Sequence, residues 1–150
     1  MKNANSFCSN TIGMLINKID FCTLNLPSDL HRILEEEGEW ESEEFLPFFI
    51  NVDLIERESE DGDLLFSFQF SPSSEEFERL NSIVSSRGFD ENGYGWTEFL
   101  MKEIEKLNQD LVGDLEVDPE AETCSIVTTS RGSFEKLLFY LTKVFQELIR

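Results

Sequence analysis

The sequence predicts an α+β domain, one antiparallel sheet with helices packed on a face, and three observations carry that prediction. Residues 64–70 alternate apolar and polar at the period of a half-buried strand. Residues 96–111 and 134–149 repeat apolar side chains at helical spacing. Strands and helices come in groups, in the order ββααββα behind a less patterned amino-terminal segment, and such grouping suits helices on one face of an antiparallel sheet. At 150 residues the chain has the length of one domain with one core, so a single domain over 1–150 is expected.

Taken in chain order, residues 1–44 are the least regular. Cys8, Ile12, Leu15 and Ile19 could line a helix; Phe21 with Thr23, or Cys22 with Leu24 and Leu26, suits an extended piece; SDLHRILEEE after Pro27 reads as helical. The stretch EEEGEWESEE holds seven acids and no base around Trp40, and with Gly38 inside it reads as an exposed loop or a fraying helix end.

FLPFFINVDLIERESEDGDLLFSFQF reads as a hairpin turning at Glu60-Asp61-Gly62-Asp63, where the Asp-Gly pair tolerates the positive φ of a tight turn. In its second strand Leu64, Phe66, Phe68 and Phe70 point one way and Leu65, Ser67 and Gln69 the other. Phe77, Leu80, Ile83 and Val84 predict the next helix, with Ser73 and Glu76 at capping-box spacing and Gly88 just past its end. Trp96, Phe99, Leu100, Ile104, Leu107 and Leu111 form another helical stripe, stopped by Gly113.

LEVDPEAET supplies a short strand and a turn around Asp118-Pro119, and TCSIVTTS a second strand with Cys124, Ile126 and Thr128 on one face; together they suggest a hairpin. The last helix carries Phe134, Leu137, Leu138, Leu141, Val144, Phe145, Leu148 and Ile149 behind Ser133 as N-cap.

Charge narrows the function. Twelve Lys and Arg against 31 Asp and Glu give −19, beyond the magnitude of about 2–8 usual for a small soluble domain. A phosphate backbone or anionic lipid surface repels such a chain, so neither nucleic acid nor a membrane is an expected partner. Apolar residues at 40%, with fourteen Phe, separate it from disordered acidic tails. Cys8, Cys22 and Cys124 share no CxxC or CxxH spacing, which fits reduced thiols in a cytoplasmic protein better than a disulfide framework or a zinc site. No stretch has the 7–15 apolar residues of a signal peptide or approaches the ~20 of a membrane span, so a cytoplasmic location is expected.

No catalytic device stands at a recognisable spacing, and the expectation is a protein that is not an enzyme and needs no cofactor. His31 is the one histidine, and a Ser-His-Asp or Cys-His device would require a nucleophile brought beside it in space. Calcium is rejected by the loop rule: aligning Gly62 with the required glycine puts Arg57 and Phe68 at the first and last ligand positions, and aligning Gly93 puts Gly88 and Phe99 there. No metal site is expected. Close carboxylate pairs such as Asp90 with Glu91 are uninformative among 31 acids.

The stretch ENGYGW, residues 91–96, lacks the GxGxxG or GxxxxGK[ST] pattern and any lysine, which argues against a phosphate loop. It reads as a turn between helices, with Asn92-Gly93 permitting left-handed backbone and Gly95 giving a short entry to the next helix. Tyr94 and Trp96 then pack inward or rim the surface as partner contacts.

The run GFDENGYGWTEFL, a helix, and then LEVDPEAETCSIVTTSRGSFEKLLFYL resembles the immunity protein 51 family of bacterial polymorphic toxin systems. Asn92, Gly93, Tyr94 and Trp96 match its Gly-Asn-Gly-Tyr-x-Trp motif, with Glu91 where the family has glycine, and Asp118, Pro119 and Glu120 match its Asp-Pro-Glu turn. The likeness covers residues 45–150 and leaves 1–44 as an amino-terminal extension. It implies a protein that binds a cognate toxin domain so that the producing cell survives. A nuclease toxin would present a basic cleft, which carboxylates can fill in place of substrate phosphates.

Between residues 33 and 63 stand thirteen acids against Arg57 alone, a net of −12. The contact surface is expected there, on Glu35, Glu36, Glu37, Glu39, Glu41, Glu43 and Glu44, with Trp40 as a buried aromatic anchor ringed by charge or, equally, as part of the core. The other reading of the same surface is an acidic adaptor or chaperone-like module for a basic protein unrelated to toxins. Oligomeric state is left open.

Overall fold

The computed structural model describes residues 19–55 and 63–150. Five strands form one sheet in the order β1-β2-β3-β5-β4, every neighbouring pair antiparallel. They are β1 (Trp40–Ser42), β2 (Phe49–Ile55), β3 (Asp63–Phe70), β4 (Glu116–Val117) and β5 (Cys124–Thr128). The helices are α1 (Leu30–Glu37), α2 (Glu78–Ser86), α3 (Gly93–Leu107), α4 (Gln109–Val112) and α5 (Arg131–Ile149). From β2 onward the order is ββααββα, as expected, with the single turn of α4 added.

Strand alternation decides which face is covered. Ile50 and Val52 of β2, Phe66, Phe68 and Phe70 of β3, and Cys124 and Ile126 of β5 join one core with Leu30 and Leu34 of α1, Leu80 and Val84 of α2, Trp96 and Phe99 of α3, and Phe145 of α5. The helices therefore sit on a single face. At the centre, Phe48 packs edge-on against Phe21 at 5.2 Å and Phe145 at 4.9 Å between ring centroids, and stacks on Phe68 at 5.6 Å. Such pairs contribute about 0.5–1.5 kcal/mol each beyond the area they bury, so the phenylalanines that make the sequence unusual serve chiefly to hold sheet to helices.

The amino-terminal residues share this core. Phe21 is fully buried, and its backbone N–H donates to Thr142 Oγ1 of α5 at 3.0 Å. Arg131, at the start of α5, donates to the carbonyl oxygens of Pro27 and Leu26 at 2.8 and 2.9 Å. Residues 21–23 form a 3-10 turn where the sequence suggested an extended piece: the Asp20 side chain accepts from the Cys22 N–H at 2.9 Å and closes the chain on itself.

Several ends differ from expectation. The EEEGEWESEE stretch is neither loop nor frayed end throughout: α1 stops at Gly38, whose φ of 86° only glycine adopts freely, and the chain then enters edge strand β1. Ser73 caps nothing; a 3-10 turn, Glu75–Phe77, precedes α2. The stripe running from Trp96 to Leu111 is interrupted at Asn108, which ends α3 and caps α4, its side chain accepting from the Leu111 N–H at 3.2 Å. Gly113 follows α4 with ordinary helical backbone. The N-cap of α5 is Ser130, whose Oγ accepts from the Ser133 N–H at 3.1 Å; Ser133 instead donates to Asp114 Oδ2 at 3.0 Å. Gly88, with φ of 92°, stands past α2 as expected. The turn predicted at residues 60–63 lies, but for Asp63, outside the described residues, while the β2–β3 register from Ile55↔Asp63 to Phe49↔Gln69 is a hairpin's.

Candidate functional site

Alternation that sends Ile50 and Val52 into the core sends Phe49, Asn51 and Asp53 to the other face of β2, and Gln69 beside them on β3. Glu41 of β1 is paired with Asn51 in register and shares that face. Two hydrogen bonds tie the polar residues in series: Gln69 Nε2 donates to Asn51 Oδ1, and Asn51 Nδ2 donates to Asp53 Oδ2, each at 3.0 Å. The relay spans two strands and fixes the direction of the Asn51 amide, because its oxygen is used by Gln69 and its nitrogen by Asp53.

These side chains border an open depression of about 420 Å³, within the range of about 300–1,000 Å³ usual for binding clefts. Glu39, Glu41 and Asp53 give it three carboxylates, none of them in an ion pair among the described residues. Phe49, 39% exposed, gives it an aromatic surface, and Thr123 also borders it. Trp40 is half-buried: paired with Val52 in register, it packs on the core and also borders the depression.

Of the acids singled out from the sequence, Glu39 and Glu41 are brought to this depression. Glu35, Glu36 and Glu37 are exposed on the last turn of α1, where Arg32 holds Glu36 at 3.3 Å and also pairs with Asp29. Glu43 and Glu44 are exposed beyond β1. Sequence reasoning did not single out Phe49, Asn51, Asp53 and Gln69. The outward positions of two paired strands were the available signal, and a register one residue different would have buried them.

The ENGYGW stretch is structural at three of four motif positions. Asn92 is the N-cap of α3, its Oδ1 accepting from the Gly95 N–H at 2.8 Å. Gly93 is helical and not left-handed. A Cβ there would overlap the carbonyl oxygens of Glu120 and Thr123, and its N–H donates to Ala121 O at 2.9 Å. Gly95 meets the Asp90 backbone just as closely. Trp96 is fully buried, whereas Tyr94 is 55% exposed and the one motif side chain available to a partner. The motif and the Asp-Pro-Glu turn therefore form one joint, α3 resting on the β4–β5 connection.

His31 is exposed on α1 and does not border the depression. Burial pushes the Cys124 thiol up to about 12, while desolvation and contact with Asp20 raise the exposed Cys22. Among the described residues no group of three or more His, Cys, Asp or Glu is placed to hold a metal ion, and no helix is long and apolar enough to cross a membrane. The chain matches no family model, no curated protein and no solved structure.

Proposed function

We propose that this protein is a non-catalytic binding protein that neutralises a cognate bacterial toxin domain, acting as its immunity protein through the acidic surface of α1, β1 and the open face of β2. The observation that carries the proposal is the joining of Glu39, Glu41 and Asp53, all without ionic partners among the described residues, around the exposed ring of Phe49. Uncompensated carboxylates beside an accessible aromatic suit a basic protein surface: charge steers the encounter and the ring supplies apolar contact. Nucleic acid and anionic membranes are disfavoured by the same charge. The resemblance of residues 92–96 and 118–120 to the immunity protein 51 family supplies the toxin as the kind of partner, and a cytoplasmic location follows if the toxin is met in the producing cell.

The test is survival of cells expressing a candidate cognate toxin domain. Co-expression of this protein is expected to restore growth, and reversal of Glu39, Glu41, Glu43 and Glu44 to Lys to abolish protection with the fold intact by circular dichroism. Undiminished protection by the reversed variant removes the acidic surface from the mechanism. Binding of a basic protein unrelated to toxins, with no protection, assigns the chain to the adaptor class.

A further inference from the structure

We infer that the open face of the sheet seats a helix of the protein partner, one whose apolar stripe is bordered by Lys or Arg, and that the stripe lies on Ile55, Leu65 and Val127. The inference rests on the proposed function for the existence of a protein partner, and deepens it by naming what that partner presents.

An antiparallel sheet covered by helices on one side and bare on the other ordinarily carries polar residues at its outward positions. On β2 and β3, Asn51, Ser67 and Gln69 follow that rule. Ile55, Leu65 and Val127 break it. The first two are half-buried and Val127 is buried, yet none of the three joins the core cluster or packs against it. Register makes them neighbours: Ile55 is paired with Asp63, two residues before Leu65, and Val127 is paired with Ser67, two residues after it. Both steps are diagonals between adjacent strands, about 7–8 Å each. The three side chains therefore form one apolar strip across β2, β3 and β5. Strand preference accounts for a lone Val or Ile on an outward position, but it does not place three apolar residues side by side, one of them Leu.

Charge decides what covers the strip. Asp53 is paired with Leu65 and Glu116 with Val127, and neither carboxylate stands in an ion pair among the described residues. No strand carries a Lys or Arg. An apolar centre with an anionic rim is matched by apolar side chains that have cations beside them. A second copy laid face to face would set these acids against one another. A helix meets the requirement, because it gathers apolar residues on one stripe with charged ones on its flanks, and helices are what already cover the other face of this sheet.

The experiment titrates the whole chain, isotope-labelled, with a synthetic helical peptide of Leu and Lys about 14 residues long, its leucines on one stripe. Two control peptides are titrated separately, one of the same composition in scrambled order and one with Glu in place of Lys, while the backbone amide signals of β2, β3 and β5 are followed by NMR. The Leu-Lys helix is expected to shift the Leu65 and Val127 signals saturably, and both controls to bind at least about tenfold more weakly. Leu65→Gln is expected to weaken binding by about tenfold at an unchanged melting temperature, and Glu116→Gln by about threefold. Equal binding by the scrambled peptide, shifts confined to α1, or no shift at Leu65 and Val127 would overturn the inference. Concentration-dependent dimerisation abolished by Leu65→Gln would overturn it in favour of a second copy as occupant. Because no toxin is used, helix binding on the strip by a protein that gives no protection would sink the proposed function alone, and protection undiminished by Leu65→Gln would sink the strip alone.

Discussion

The indole N–H of the fully buried Trp96 donates to Asn81 Oδ1 at 2.6 Å, and Asn81 in turn donates to the carbonyl oxygen of Pro72 at 2.8 Å. One polar residue of α2 thus satisfies the polar atom of the largest core side chain and anchors the start of the β3–α2 connection. Asn81→Leu leaves the indole N–H and the Pro72 carbonyl without that partner and is expected to destabilise by about 1–3 kcal/mol. Urea unfolding should show a lower midpoint at unchanged slope. An unchanged midpoint would mean that water replaces Asn81 without loss.

The glycines of α3 and α5 should behave in opposite ways. Gly93→Ala drives a methyl group into the Glu120 and Thr123 backbone, which neither side can yield cheaply, and is expected to cost about 1–3 kcal/mol or more. Gly132, in the first turn of α5, has open space at its Cβ position, so Gly132→Ala is expected to gain about 0.4–1 kcal/mol by restricting the unfolded chain. Thermal melts of the two variants read both signs; equal effects would contradict the close approach of α3 to the β4–β5 turn.

Cys124 makes stability depend on alkaline pH. Its folded-state value of about 12 lies above the ordinary 9.0, so the folded protein keeps a proton that the unfolded chain releases. The stabilisation is complete below pH 9 and is lost as pH rises toward 12, at about 1.4 kcal/mol per pH unit for this one group. Unfolding free energies of the wild type and Cys124→Ala between pH 8 and 10.5 are expected to converge as pH rises. A constant difference would show that the thiol ionises alike in both states. The exposed Cys22 is raised in the same direction and contributes with the same sign.

Under the proposed immunity function, His31→Ala is expected to leave protection unchanged, since His31 is exposed and stands off the depression. Loss of protection at constant stability would revive a role for the imidazole.

Much of the fold was legible because period and burial agreed. Phe66, Phe68 and Phe70 alternate in the sequence and are all buried on one face of β3, and the α5 stripe from Phe134 to Leu148 is buried as its spacing requires. What escaped were contacts between segments distant in the sequence. Gly93 and Gly95 resemble turn glycines because the sequence shows permissiveness and not the carbonyls of Glu120, Thr123 and Asp90 that forbid a side chain. The stripe through Leu107 and Leu111 hid the break at Asn108, since one residue can end a helix and cap the next without disturbing apolar spacing. Charge density around Trp40 was visible, but β1 was not, because three residues with two polar members carry no strand period and take their conformation from pairing with β2. Asp53 and Asn51 joined the site only once the β2–β3 register was known.

Calorimetric titration of this protein with a candidate basic toxin domain, at low and at physiological salt, is the decisive test of the proposed binding through the acidic face. Nanomolar or tighter association that weakens as salt rises is expected, because exposed carboxylates are screened over about 8 Å at physiological ionic strength. Absence of binding at both salt concentrations, or tight binding indifferent to salt, would contradict it.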